Sequence, residues 1–208
     1  MVNYEILYAF MLATAGLAIS PGPDNIYVLT QSITHGKKFG LATVAGLISG
    51  CLVHTTLLAF GVSALIRAND ELFFTIKIFG AVYLLYLAFQ VFRSDAAVQL
   101  NAGNVPKESL IRLFRQGFVM NVLNPKVTVF FLAFFPGFLF SETLDTVVQF
   151  YVLGLLFMLV SFIIFAAIAI LAGEISTYIT KNSKIGIVLK WLQILVFTGI
   201  AAYLLFSD

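Results

Sequence analysis

Long apolar stretches separated by short polar joints run through the chain from Tyr4 to Phe206, and they resolve into six candidate spans. The spans lie at about 4–34, 40–66, 71–92, 113–140, 145–173 and 185–206. A helix needs about 20 apolar residues to cross the hydrocarbon core, so the pattern predicts an all-α integral membrane protein with six transmembrane helices. The first and fourth spans are longer than needed, and each contains a break. Span one is interrupted by Ser20-Pro21-Gly22-Pro23-Asp24-Asn25, and span four by Asn124-Pro125-Lys126. Proline removes a backbone donor and hydrocarbon supplies no water to the freed groups, so such breaks persist only inside protein or beside a polar cavity.

The loops add an orientation. Lys37 and Lys38 fall after span one, Arg93, Lys107, Arg112 and Arg115 flank the joint after span three, and Lys181, Lys184 and Lys190 surround the joint after span five. The alternate joints hold Arg67 with Asp70 and Glu71, then Glu142 and Asp145 with no base. The positive-inside rule places the basic joints in the cytoplasm and both termini outside. The long polar joint 93–112 then connects two three-span halves, 1–92 and 113–206, of opposite orientation within one membrane domain. The first helix of each half is the broken one. That is the arrangement of inverted repeats in transporters, whose substrates bind near the midplane between discontinuous helices.

Composition agrees with the pattern. The 208 residues are 61% hydrophobic and 11% charged, with 22 Phe, against about 25% charged in a soluble domain. The net charge of +2 offers nothing to nucleic acid; the bilayer is the expected surroundings. Cys51 is the sole cysteine and the chain has two histidines, so neither a disulfide nor a metal site is expected. No nucleophile motif or phosphate-cradling loop is present. No enzyme chemistry and no cofactor is predicted. Ala13-Thr14-Ala15 has the composition of a signal cleavage site, but Met1-Val2-Asn3-Tyr4-Glu5 lacks the basic flank, and the first helix is expected to stay.

Asp24 and Lys126 are the charges at the two breaks. Each lies eleven residues from a basic residue at its span's cytoplasmic end, His35 and Arg115, which is about 16 Å of helix rise. Both therefore fall near the midplane, where an unpaired charge is costly, and they are plausible ion-pair partners. Ser20 with Pro21, and Asn124 with Pro125, read as N-cap and first helical residue of two restarted half-helices. Their free N–H groups suit a carboxylate. Gly117, Asn121, Asn124 and Thr128 form a polar stripe at helical spacing. The candidate substrate or proton site is Asp24, Lys126, Asn25, Asn121 and Asn124, around breaks at Ser20, Pro21, Gly22, Pro23 and Pro125. Asp24–Lys126 can equally be a clasp between halves without contact to substrate. Gly46 and Gly50 are a small-residue packing pair. His54 extends their face as a packed, hydrogen-bonded histidine or a proton carrier. Lys77 either lines the pathway or snorkels.

The residues carrying the breaks resemble the LysE/RhtB family of amino-acid exporters. The similar stretches are Ser20-Pro21-Gly22-Pro23-Asp24-Asn25, Gly40 to His54 with its glycines, Lys77-Ile78-Phe79-Gly80-Ala81-Val82-Tyr83-Leu84-Leu85-Tyr86-Leu87, and Gly117-Phe118-Val119-Met120-Asn121-Val122-Leu123-Asn124-Pro125-Lys126. The resemblance implies a bacterial inner-membrane secondary transporter that exports amino acids or close derivatives in exchange for protons. From the residues alone, a passive channel and a non-transporting membrane assembly partner stay open, and a homo-oligomer is compatible with either.

Overall fold

A computed structural model describes residues 2–63, 70–94, 106–181 and 183–206. Arg67 and most of the 93–112 joint lie outside the described residues. The described residues form helices and connections, without a strand. In chain order they are α1 (Tyr4–Ile19), α2 (Pro23–His35), α3 (Lys37–Leu57), α4 (Asp70–Arg93), α5 (Leu110–Val122), α6 (Pro125–Val129), α7 (Thr146–Ile170), α8 (Ala172–Lys181) and α9 (Ser183–Phe206). α3 runs on through a π-helical turn at Leu58–Val62. α6 runs on through a π turn at Phe130–Phe134 and a 3₁₀ turn at Phe135–Phe138.

Among the described residues, four helices are long and apolar enough to cross a membrane, and two bent pairs bring the number to six if each pair is one span. The pairs are α1 with α2, bent by 59°, and α5 with Pro125–Phe138, bent by 49°. Phe79, Val188 and Leu195 stand exposed among many other large apolar side chains. A hydrocarbon surround stabilises such a surface, whereas water would not.

Local chemistry sets the helix ends and corrects one expectation. Ser20 is not an N-cap: its N–H bonds to the Gly16 carbonyl at 3.0 Å and closes α1. Nor does Pro21 start a helix, because α2 begins at Pro23 with Gly22 before it. A helix beginning at Pro21 would need Gly22 helical immediately before Pro23, where the ring disfavours that conformation. Gly22 instead is extended, with φ −159° and ψ 178°. At the second break Asn124 does cap α6, its Oδ1 accepting the Lys126 N–H at 3.0 Å, with Pro125 first in the helix. Lys37 and Lys38 belong to the first turn of α3 rather than a loop. The turn before them rests on Gly36, whose φ of 97° suits glycine.

α3 packs most extensively on α5, and also on α2 and α7; α4 packs on α9, and α1 on α7. The α3–α5 contact is a backbone approach. A methyl on Gly46 would sit 2.0 Å from the Phe114 carbonyl, and one on Gly117 would sit 2.4 Å from that of Thr43. Gly117 is therefore part of this contact and not of a polar stripe. The Phe-rich runs fill the core: Phe130, Phe131, Phe134 and Phe135 are all buried and join Phe10, Phe150 and Phe157. Phe131 stacks on Phe135 at 4.1 Å and meets Phe157 edge-on at 4.9 Å, arrangements that add to simple burial.

Gln149 anchors the connection before α7. Its Oε1 accepts the N–H groups of Phe140 and Ser141 at 2.8 and 2.9 Å, and its Nε2 donates to the carbonyls of Ser141 and Leu144 at 2.8 and 2.9 Å. Gln149→Leu leaves those four backbone groups without their partner, each costing about 1–3 kcal/mol if it stays buried. The expected outcome is a large drop in melting temperature in detergent, with Gln149→Glu intermediate because it keeps the acceptor. A melt like that of the wild type would show that the loop re-pairs without this side chain.

Candidate functional site

Breaking a helix inside the protein leaves carbonyls at one end and N–H groups at the other, and these need partners. At the end of α1, the Asn25 side chain donates to the Ala18 carbonyl at 2.8 Å. Lys126 reaches across from α6, its Nζ 3.4 Å from both the Leu17 and Ser20 carbonyls. An ammonium at the negative end of a helix dipole is favourable. The face of Phe197, 5.2 Å away, adds a cation–π contact. The end of α5 is served in the same way from the other half. His54 Nε2 lies 3.1 Å from the Asn121 carbonyl, so this nitrogen carries the proton and donates. The His54 ring packs on Phe131 at 5.3 Å.

Asp24, in the first turn of α2, is buried at 9% exposure. Its Oδ2 accepts from Asn124 Nδ2 at 2.7 Å. Asn124 therefore works twice, capping α6 with its oxygen and holding Asp24 with its nitrogen. The direct Asp24–Lys126 ion pair anticipated from depth is not formed. Arg112 and Glu108 do form an ion pair, at 2.9 Å near the start of α5. The reason is geometric: Asn124 occupies the carboxylate, while the lysine stem carries Nζ to the α1 carbonyls.

Asp24 and Lys126 nonetheless face one cavity. It has a volume of about 30 Å³ and is lined also by Asn25, Asn121, Cys51 and Ser161. Small-molecule pockets run to roughly 300–1,000 Å³, so this conformation has room for about one water and not for an amino acid. Of the other predicted residues, Asn124 touches the site through Asp24 and His54 through Asn121. Lys77 is buried on α4, 8% exposed, and does not line the cavity. The sequence reading missed Ser161, although it is the lone polar residue between Tyr151 and Leu171.

The LysE type translocator family model matches residues 15–208. This chain belongs to that family. It is 32% identical over 178 residues to the homoserine/homoserine lactone efflux protein of Salmonella typhimurium strain LT2, covering 86% of this chain and 85% of the relative. The protein of the same name from Salmonella typhi matches with the same identity and coverage. No solved structure matches. Membership makes this a multi-pass membrane protein of amino-acid efflux, and the bent helix pairs are the part of a translocator that composition alone does not supply.

Proposed function

We propose that this protein is a secondary exporter of an amino acid or close derivative across the cytoplasmic membrane, driven by protons moving inward. One observation carries the reading: an acidic and a basic side chain face the same buried cavity without closing on each other. An amino acid presents the complementary pair of charges. Its carboxylate takes the Lys126 ammonium in place of the two long Lys126 contacts to the α1 carbonyls. Its ammonium takes the Asp24 carboxylate. Proton and ammonium compete for that carboxylate, and such competition couples outward cargo to an inward proton.

Opening follows from the size of the cavity. The 30 Å³ space must enlarge to admit cargo, and the two broken helices are the natural place for the halves 1–92 and 113–206 to rock as inverted repeats. The reciprocal service of helix ends supports this. Lys126 from the second half serves α1, and His54 from the first half serves α5. Both termini face outward on this reading, with the basic joints in the cytoplasm.

The test is counterflow in proteoliposomes against a panel of amino acids and analogues. The expected result is saturable exchange of at least one amino acid, together with uphill transport when a proton gradient is imposed. Flux through the protein without exchange would replace the carrier with a channel. Exchange insensitive to the proton gradient would remove the proton from the mechanism.

A further inference from the structure

Two polar atoms in the cavity wall are under-served: Ser161 Oγ has no hydrogen-bond partner, and Asn121 Oδ1 has beside it only the weak Cys51 thiol, whose proton is directed to the Leu47 carbonyl at 3.6 Å. Their residues are 4% and 2% exposed, so water at the protein surface does not serve them. Leaving buried polar atoms unsatisfied is costly. Ser161 interrupts an apolar face of α7 between Phe157 and Phe165, one turn away on either side, and all three line the cavity. A hydroxyl thus stands at a helix position flanked by phenylalanines, in the wall of a cavity that Asp24, Asn25 and Lys126 also line.

Asn121 is held from both ends. His54 fixes its backbone carbonyl at 3.1 Å. Its side chain lies against the bare backbone of Gly50, where an added methyl would come within 2.7 Å of Oδ1. The carboxamide thus has little room to turn away from the cavity. An acceptor and a hydroxyl that both accepts and donates are presented together on α5 and α7, apart from the charges on α2 and α6.

We propose that Asn121 and Ser161 form a side-chain subsite that selects cargo carrying a hydroxyl. The inference rests on the exporter reading above and assigns which part of the cargo each wall takes. Asp24 and Lys126 hold the charged ends. The cargo hydroxyl donates its proton to Asn121 Oδ1 and accepts from, or shares a bond with, Ser161 Oγ. A cargo lacking the hydroxyl leaves both atoms unpaired in the bound state, and sites built to bond a hydroxyl reject such analogues strongly.

The experiment compares L-homoserine with L-2-aminobutyrate, and L-serine with L-alanine, as competitors in counterflow by the full-length protein in proteoliposomes. Wild-type protein is expected to prefer the hydroxylated member of a pair. Ser161→Ala is expected to reduce that preference, read as the ratio of the two competitors' inhibition constants, by about tenfold or more. Ser161→Thr is expected to preserve the preference, since it keeps the hydroxyl. If Ser161→Ala does not fold, Ser161→Cys gives the same readout through a weaker donor. A wild-type protein that exchanges amino acids with no hydroxyl preference overturns the subsite alone. So does a preference unchanged by Ser161→Ala. A wild-type protein that exchanges no amino acid overturns the exporter reading, and the subsite falls with it.

Discussion

Asp24→Asn and Lys126→Ala are each expected to lower amino-acid counterflow by about 100-fold or more while the protein still inserts and melts cooperatively. Each variant leaves one charge of the bound amino acid without its partner, and truncating one side of a buried charge pair costs about 2–5 kcal/mol, roughly two decades or more in a binding constant. Asn at position 24 can still accept from Asn124 Nδ2, the bond that Asp24 makes at 2.7 Å. The geometry of the break therefore survives and the charge alone is lost. Lys126→Ala removes the donor from the Leu17 and Ser20 carbonyls and the positive charge from the cavity. The double variant is expected to be no worse than the poorer single one, because groups acting on one ligand are not additive. Proton-coupled efflux unchanged in both single variants would remove the charges from the transport site and leave them a clasp between halves.

Much of this site was readable from the chain because membrane physics makes breaks and charges conspicuous. The prolines inside two apolar runs pointed to the two helix pairs that are bent, and the Asp and Lys beside them line one cavity. The same reasoning failed at finer scale. Depth alone paired Asp24 with Lys126, but it carries no information on Asn124, which sits between them with a donor and an acceptor to use. Ser20-Pro21 and Asn124-Pro125 look alike as dipeptides. Pro23 makes them different, since it disfavours helix at Gly22, and α2 starts two residues further on. Gly117 fell on the polar stripe by spacing, but its partner is the α3 backbone, which a one-dimensional pattern does not contain. Ser161 went unread because a lone hydroxyl in an apolar helix ordinarily bonds its own backbone. Its orphaned Oγ is visible only once the cavity is.

Gly46→Ala is expected to produce the largest loss of stability among the glycine substitutions, and to reduce transport as well. The new methyl would stand 2.0 Å from the Phe114 carbonyl oxygen and 2.9 Å from the Phe118 nitrogen. Both are backbone atoms of α5, so no rotamer change relieves the overlap and the two helices must separate. In a membrane, close approach through small residues is a principal source of helix association. Overpacking a fixed contact costs about 1–3 kcal/mol and sometimes more. The effect reaches the cavity because α3 carries Cys51 and His54 while α5 carries Asn121. Widening their separation lengthens the His54–Asn121 bond and releases the Asn121 side chain from Gly50. Gly199→Ala supplies the control, since nothing lies within 4 Å of its added methyl. Unfolding in mixed micelles should place Gly46→Ala well below the wild type and Gly199→Ala beside it. Equal stability of the two variants would mean that the α3–α5 approach is looser than these distances state, and that Asn121 is not held by it.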